Sequence, residues 1–284
     1  MTLMALAPAK INRELRVGGL RSDGYHEIWS RMVSISVADT LTAEPSSELE
    51  FFCDDPDVPS DSGNLVVRAA ELLAQRARVP ARVRLRLDKK VPIGAGLGGG
   101  SADAAIALRL LARFWNLRDA EAWLPEVAVM LGSDVPFFLV GGEAEVRGRG
   151  EKVTSLDDGP AADLLLLVPP FSISTAEVYN TFAGRGTLPT RLKVADGGVF
   201  LGPNDLAPAV LQKEPRMRTY LESAAGVTPE FAISGSGATI VLHGAGSEAE
   251  ETLRARHPEA RLYRCHTLTR RDYRHRTNPT GGIS

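Results

Sequence analysis

The sequence predicts an α+β protein of two domains. Three observations carry that reading. Strands and helices come in separated runs rather than in regular βαβ alternation. An alternating strand, a glycine-rich turn and an apolar helix follow one another over residues 82–111. The texture then changes at the turn-rich Asp157–Pro160. A chain of 284 residues can form one large domain or two ordinary ones. The boundary is placed near residue 155, giving an N-terminal domain of 1–155, a C-terminal domain of 156–270 and a flexible tail of 271–284.

Arg82–Asp88 sets Val83, Leu85 and Leu87 on one face and Arg82, Arg84 and Arg86 on the other, which is the period of a half-buried strand. Pro92 and five glycines within Gly94–Gly100 break that pattern. A helix is expected from Ser101, with Ser101 as its cap and Asp103 in its first turn. Its apolar residues, Ala102, Ala105, Ile106, Leu108, Leu110 and Leu111, leave little polar surface, so it belongs in the core. A second helix is expected over Ala120–Leu131, closed by Gly132. Beyond the break, Leu164–Val168 reads as a buried strand and Gly184–Asn204 as loop. Ala207–Ala225 and Ser247–His257 read as helices, and Phe231–Ser234 and Thr239–His243 as strands around a glycine turn.

Composition narrows the function. A formal net charge of −2 leaves no basic footprint for nucleic acid. Only Arg270, Arg271, Arg274 and Arg276 make a locally basic stretch, and Asn278, Pro279, Gly281 and Gly282 after it suggest a frayed tail rather than a binding arm. The two cysteines, Cys53 and Cys265, lie far apart without histidine partners at metal-ligand spacing, which excludes a disulfide scaffold and suits a reducing compartment. The N-terminus lacks the pattern of a signal peptide, and no run reaches the roughly 18 apolar residues of a membrane span. A cytoplasmic protein, monomeric or weakly dimeric, is expected, with a small molecule as its partner and neither nucleic acid nor membrane.

The glycine loop carries the chemistry. Backbone N–H groups at a helix N-terminus are unsatisfied donors with partial positive charge, and glycines let that backbone close on phosphate oxygens. A Walker A loop is excluded, because Ser101 follows Gly100 with no lysine between. A dinucleotide fingerprint is formally present as Gly94, Gly96 and Gly99, but Asp119 and Glu121 lead into a helix rather than end a strand. A protein-kinase loop lies between two strands, not before a buried helix.

The run PIGAGLGGGSADAA resembles the second motif of the GHMP kinase superfamily. APAKIN at Ala7–Asn12 is similar to its first motif and SGSGAT at Ser234–Thr239 to its third. LGSDVPFF at Leu131–Phe138 resembles the segment with its catalytic aspartate, and Asp23–His26 its substrate-binding segment. These stretches occur in the same order and span most of the chain. The resemblance implies the two-domain GHMP kinase fold: a ribosomal-protein-S5-like N-terminal domain that binds ATP and a ferredoxin-like α/β sandwich at the C-terminus, with the active site in the cleft between them. It implies a small-molecule kinase that uses ATP with Mg2+ and transfers the γ-phosphate to a hydroxyl. The wording of the loop closely resembles that of the branch that phosphorylates the 2-hydroxyl of a cytidine-diphosphate-linked methylerythritol in the non-mevalonate route to isoprenoids. Mevalonate, homoserine or a sugar as substrate stays open as an alternative. So do an inactive nucleotide-binding relative and, from the formal fingerprint, a nicotinamide-dependent oxidoreductase.

By the same resemblance Lys10 and Asp134 are catalytic. Lys10 stabilises charge on the transferring group, and Asp134 accepts or orients the hydroxyl proton. Read singly, Lys10 is a surface lysine and Asp134 a helix cap. The phosphates fall to Pro92, Ile93, Gly94, Ala95, Gly96, Leu97, Gly98, Gly99, Gly100, Ser101 and Ala102. Asn64 is placed near adenine, though a helix cap explains it equally well. The substrate falls to Asn12, Tyr25, His26, Thr175, Tyr179, Gly235 and Gly237, with the base between Tyr25 and Tyr179. No protein ligand of Mg2+ is assigned. The resemblance implies apolar residues at 13 and 14, where Arg13 and Glu14 stand, and an aromatic where Met32 stands.

Overall fold

The computed structural model describes residues 1–182 and 201–281. The first half is a twisted sheet. β1 (Leu3–Leu20) and β2 (His26–Glu44) form a long antiparallel pair, followed by β3 (Leu49–Cys53), helix α1 (Leu65–Ala77), β4 (Val83–Asp88) and helix α2 (Gly99–Phe114). After a 3-10 turn at Ala120–Ala122 come α3 (Leu124–Leu131), α4 (Val135–Val140), β5 (Glu143–Gly148) and β6 (Lys152–Ser155). The strand order is β1-β2-β4-β3, with β5 also on β2 and β6 on β5. The second half holds β7 (Asp163–Val168), α5 (Thr175–Thr181), α6 (Ala207–Lys213), α7 (Met217–Ala225), β8 (Phe231–Ile233), β9 (Ile240–His243), α8 (Ser247–Arg256) and β10 (Arg261–His266). Its four strands order as β10-β7-β9-β8, all antiparallel. Then α9 (Arg270–Thr277) and β11 (Thr280–Gly281) return to the first sheet, where β11 pairs with β1.

Several expectations are met element by element. β4 buries Val83, Leu85 and Leu87 and turns its arginines outward. α2 buries ten of its sixteen residues, including Ile106, Leu110 and Leu111, and packs between α1, α4 and β1. Two long helices are shorter than expected, for one physical reason. Pro215 stands between α6 and α7, and Pro125 opens α3 after the 3-10 turn; proline is disfavoured inside a helix because it lacks the donor and its ring clashes with the preceding turn. The expected loop at Gly184–Asn204 lies mostly outside the described residues.

The tail is a correction. Residues 270–277 are helical, and Thr269 caps the helix by accepting from the Asp272 N–H. Tyr273 is fully buried against Gly141, and its hydroxyl donates to the Phe138 carbonyl at 2.6 Å. Arg270 donates to the Glu143 and Leu156 carbonyls. The arginine-rich composition concealed one buried aromatic, and that residue docks the segment. Gly141 has φ +64 and no side chain, and a Cβ there would overlap the Tyr273 ring. Replacing Tyr273 with Ala is expected to cost about 3–5 kcal/mol in urea unfolding, the range for a large buried aromatic; a loss under about 1 kcal/mol would contradict docking.

Candidate active site

A cavity of about 820 Å³ opens between the two sheets. Its wall is made by β1 from Lys10 to Leu20, the turn before β2, the glycine loop, the segment before α4, α5 and the loop between β8 and β9. Lys10 and Asn12 lie two apart on β1, so their side chains share a face of the strand. Lys10 is 3% exposed. Its ammonium donates to Asn12 Oδ1 at 2.6 Å and to the Gly96 carbonyl at 3.2 Å, and lies 3.6 Å from Asp134 Oδ2. The lysine stem runs over Gly98, where an added Cβ would sit 3.1 Å from Lys10 Cγ and Cε. Asn12 donates in turn to Ser30 Oγ at 2.8 Å, and Ser30 donates to the Glu14 carbonyl at 2.7 Å.

Asp134 stands at the N-cap position of α4, yet its side chain makes no capping hydrogen bond. The carboxylate faces Lys10 instead and keeps 30% of its side-chain surface open to the cavity. The competing reading of Asp134 as a cap therefore fails on geometry.

The glycine loop corrects the expected helix start. α2 begins at Gly99, with Gly98 at the N-cap (φ +71) and no side chain capping it. Ser101 is the third helical residue, not the cap. The first bond inside the helix comes from the Ala102 N–H to Gly98, at 2.9 Å. The amides of Gly99, Gly100 and Ser101 precede that bond, and all three residues line the cavity. Pro92, Ile93, Gly94, Ala95, Gly96, Leu97 and Gly98 line it too. Ala102 does not: it is fully buried in the core.

The third glycine segment closes the other side. The Thr239 N–H donates to the Ala95 carbonyl at 3.2 Å, Ser234 Oγ donates to the Gly96 carbonyl at 3.1 Å, and the Asn12 N–H donates to Ser234 Oγ at 3.3 Å. The backbones meet so closely that a Cβ on Gly96 would lie 2.7 Å from the Gly237 carbonyl oxygen. Gly235 faces Lys10 and Asn12 and lines the cavity; Gly237 turns away toward Ile173, Ile233 and Val210 and does not line it. Ser236, absent from the expected set, is on the wall and shares a 2.8 Å hydrogen bond with Thr175.

At the far end stand Tyr25, His26 and Tyr179. Tyr25 is 47% exposed, and the His26 and Tyr179 rings are 5.8 Å apart. His26 Nδ1 lies 3.0 Å from the Gly18 carbonyl. A carbonyl only accepts, so Nδ1 carries a proton, and in the neutral ring Nε2 is left as an acceptor. Burial first, and the negative charge of Asp134 second, push the Tyr179 phenol above its usual range. Asn64 caps α1 by accepting from the Val66 N–H at 2.8 Å and also lines the cavity. Met32 is buried on the wall. Arg13 leaves the cavity and binds Glu143 at 2.8 and 3.0 Å, and Glu14 pairs with Arg16.

Sequence reasoning missed a buried cluster beneath the loop. Lys89 Nζ lies 2.5 Å from Asp39 Oδ2 and 2.9 Å from Asp103 Oδ2. Asp39 Oδ1 accepts from the Lys90 and Val91 amides at 2.5 and 2.8 Å. The cluster ties β2 to the entry and exit of the glycine loop. A charged residue on the strand face that also carries Val37, Leu41 and Ala43, namely Asp39, was the available signal. Asp103 Oδ1 has no hydrogen-bond partner, and burial pushes this carboxyl up to about 8 against the pull of Lys89.

Residues 64–142 match the GHMP kinases N terminal domain. The 4-diphosphocytidyl-2-C-methyl-D-erythritol kinase of Deinococcus radiodurans is 39% identical over 242 residues, covering 82% of this chain and 81% of the relative. The protein of that name from Pelotomaculum thermopropionicum is 49% identical over 184 residues, 64% of this chain and 64% of the relative, so the match spans less than two thirds of that relative's length. A crystal structure of 4-(cytidine 5'-diphospho)-2C-methyl-D-erythritol kinase superposes with a TM-score of 0.78 at 34% identity, over 93% of this chain and 98% of that one. A homoserine kinase from Cytophaga hutchinsonii shares the fold, with a TM-score of 0.69 at 17% identity. The chain belongs to the GHMP kinases, small-molecule kinases of α+β fold, and among them to the family of its 4-diphosphocytidyl-2-C-methyl-D-erythritol kinase relatives.

Asp103 makes this site pH-sensitive in a defined direction. A carboxyl raised on folding from its ordinary value of 3.8 to about 8 takes up a proton between those limits. Stability from this group is therefore greatest in acid and is lost as pH climbs through that window. Melting temperatures of the wild type and Asp103→Asn, compared at pH 5 and pH 8, should shift in the variant's favour at the higher pH. An equal difference at both would contradict the assignment.

Proposed function

We propose that this chain transfers the γ-phosphate of ATP to the 2-hydroxyl of 4-diphosphocytidyl-2-C-methyl-D-erythritol. The observation that carries the reading is the Lys10–Asp134 pair, 3.6 Å apart on the wall shared with the glycine loop. The triphosphate lies along Gly94–Ser101, with the amides at the start of α2 directed to its oxygens. The adenine end falls toward Asn64, Leu65 and Val58, which line the same cavity. Phosphoryl transfer demands positioning and charge neutralisation more than covalent chemistry from the protein. Lys10 supplies the cation, held by Asn12 and the Gly96 carbonyl, and the open edge of Asp134 receives the substrate hydroxyl and its proton.

The cytosine end is read onto Tyr25, His26 and Tyr179. Aromatic faces stack on the base, and the free Nε2 of His26 can accept from its exocyclic amine. Thr175 and Gly235 line the path between the ends, and Asn12 sits beside the polyol. The relatives named for this substrate support the choice over mevalonate, homoserine or a sugar.

Mg2+ accompanies the nucleotide. Among the described residues no group of three or more His, Cys, Asp or Glu side chains could hold a metal ion. The donors that fit are the Ser101 hydroxyl on the cavity wall and the triphosphate itself, which suits a small hard cation that keeps several waters. Bound there, the ion would neutralise part of the triphosphate charge. We further assign residues 1–155 and 156–270 as the two domains and place the protein in the cytoplasm. Among the described residues no helix is long and apolar enough to cross a membrane.

A coupled ADP-release assay with the cytidyl substrate, ATP and Mg2+ tests the reading. Wild type should turn over, and Asp134→Asn should lose about 10²–10⁴-fold in kcat while its ATP affinity changes little. A variant as active as wild type would overturn the role of Asp134, and phosphorylation of homoserine or mevalonate in preference would overturn the substrate.

A further inference from the structure

The substrate proposed above joins its cytosine-bearing end to its polyol through a diphosphate. The residues assigned to those two ends leave that bridge without a cation of its own. Lys10 is engaged by Asn12, Gly96 and Asp134, and Lys89 is clamped between Asp39 and Asp103. A third basic residue on the cavity wall, Arg149, is committed to neither cluster. It stands in the turn between β5 and β6, with its guanidinium carbon 4.9 Å from the centre of the Tyr25 ring.

The local structure fixes it there. The Arg149 N–H donates to Glu151 at 2.6 Å, and one guanidinium nitrogen donates to the Val129 carbonyl at 3.2 Å. Gly150 adopts φ +130 and abuts Ser133, where any Cβ would overlap the Ser133 carbonyl. The turn that carries Arg149 is thus locked against the residue preceding Asp134. Among the described residues no carboxylate forms an ion pair with its guanidinium. Asp23, whose carboxyl is held low first by Arg21, feels Arg149 as a weaker influence. Stacking occupies a guanidinium's flat face, and the N–H groups beyond the nitrogen held by Val129 match phosphate oxygens.

We propose that Arg149 recognises the substrate's diphosphate and so selects a nucleotide-linked polyol over a free one. The position agrees with the chemistry: Arg149 touches the ring assigned to the base, and its chain neighbour Gly150 abuts Ser133, the residue before Asp134. A diphosphate joining cytosine to polyol must pass between those points. This inference rests on the cytidyl-substrate reading.

The test measures CDP and cytidine binding by calorimetry, with the nucleotide site filled by ADP, to wild type, Arg149→Gln and Arg149→Lys. Wild type should bind CDP about 10–100-fold more tightly than cytidine, the range for charge-assisted hydrogen bonds. Arg149→Gln should lose that margin and keep its cytidine affinity, and Arg149→Lys should keep part of it. In turnover, Arg149→Gln should raise KM for the cytidyl substrate by a similar factor and leave KM for ATP unchanged. Equal weakening of CDP and cytidine would mean that Arg149 only supports Tyr25 and would overturn the proposal, as would an unchanged KM. A wild type that turns over the cytidyl substrate keeps those failures separate from failure of the substrate reading; one that does not sinks both.

Discussion

The ammonium of Lys10 is almost wholly buried, and a charge in that position is unfavourable unless partners replace the water it has lost. Three groups do so: the Asn12 amide oxygen, the Gly96 carbonyl and the Asp134 carboxylate. They come from β1, the glycine loop and the segment before α4. Satisfying one cation therefore fixes three separate pieces of chain around a common point. Asp134 is the partner left partly open, which gives the pair a side from which a hydroxyl can approach.

The packing around that point explains the glycines. Gly98 lets the lysine stem pass, Gly96 lets the loop meet the segment between β8 and β9, and Gly235 brings that segment over Lys10 and Asn12. Ser234 ties the same pieces together, accepting from Asn12 and donating to Gly96. Below the loop, Lys89 with Asp39 and Asp103 anchors both ends of the glycine run to β2 and α2. Buried ionic clusters of this sort add little net stability, since desolvation offsets attraction, but they penalise any arrangement that separates the partners.

Much of this was legible in the sequence. The period of Val83, Leu85 and Leu87, the apolar run of α2 and the order of the motifs were local signals, and local signals survive in a single chain. Lys10 and Asp134 were visible because they sit in motifs, although neither residue type nor spacing would have paired them. The misses have a common cause. The start of α2 hung on the backbone angle of Gly98, which composition does not encode. Gly237 and Ala102 were assigned by membership of a motif, and the fold turns each away from the cavity. The C-terminal segment looked like a polar tail because a single buried tyrosine decides its docking. Asp39 and Arg149 entered the site through contacts distant in sequence, with no motif to mark them.

The most direct test is a double-mutant cycle on kcat between Lys10→Met and Asp134→Asn, with folding checked by circular dichroism. Residues that act as one unit give non-additive losses. The double variant should be within about tenfold of the slower single variant. Losses that multiply would mean that the two residues work independently, and would contradict a site organised around the Lys10 ammonium.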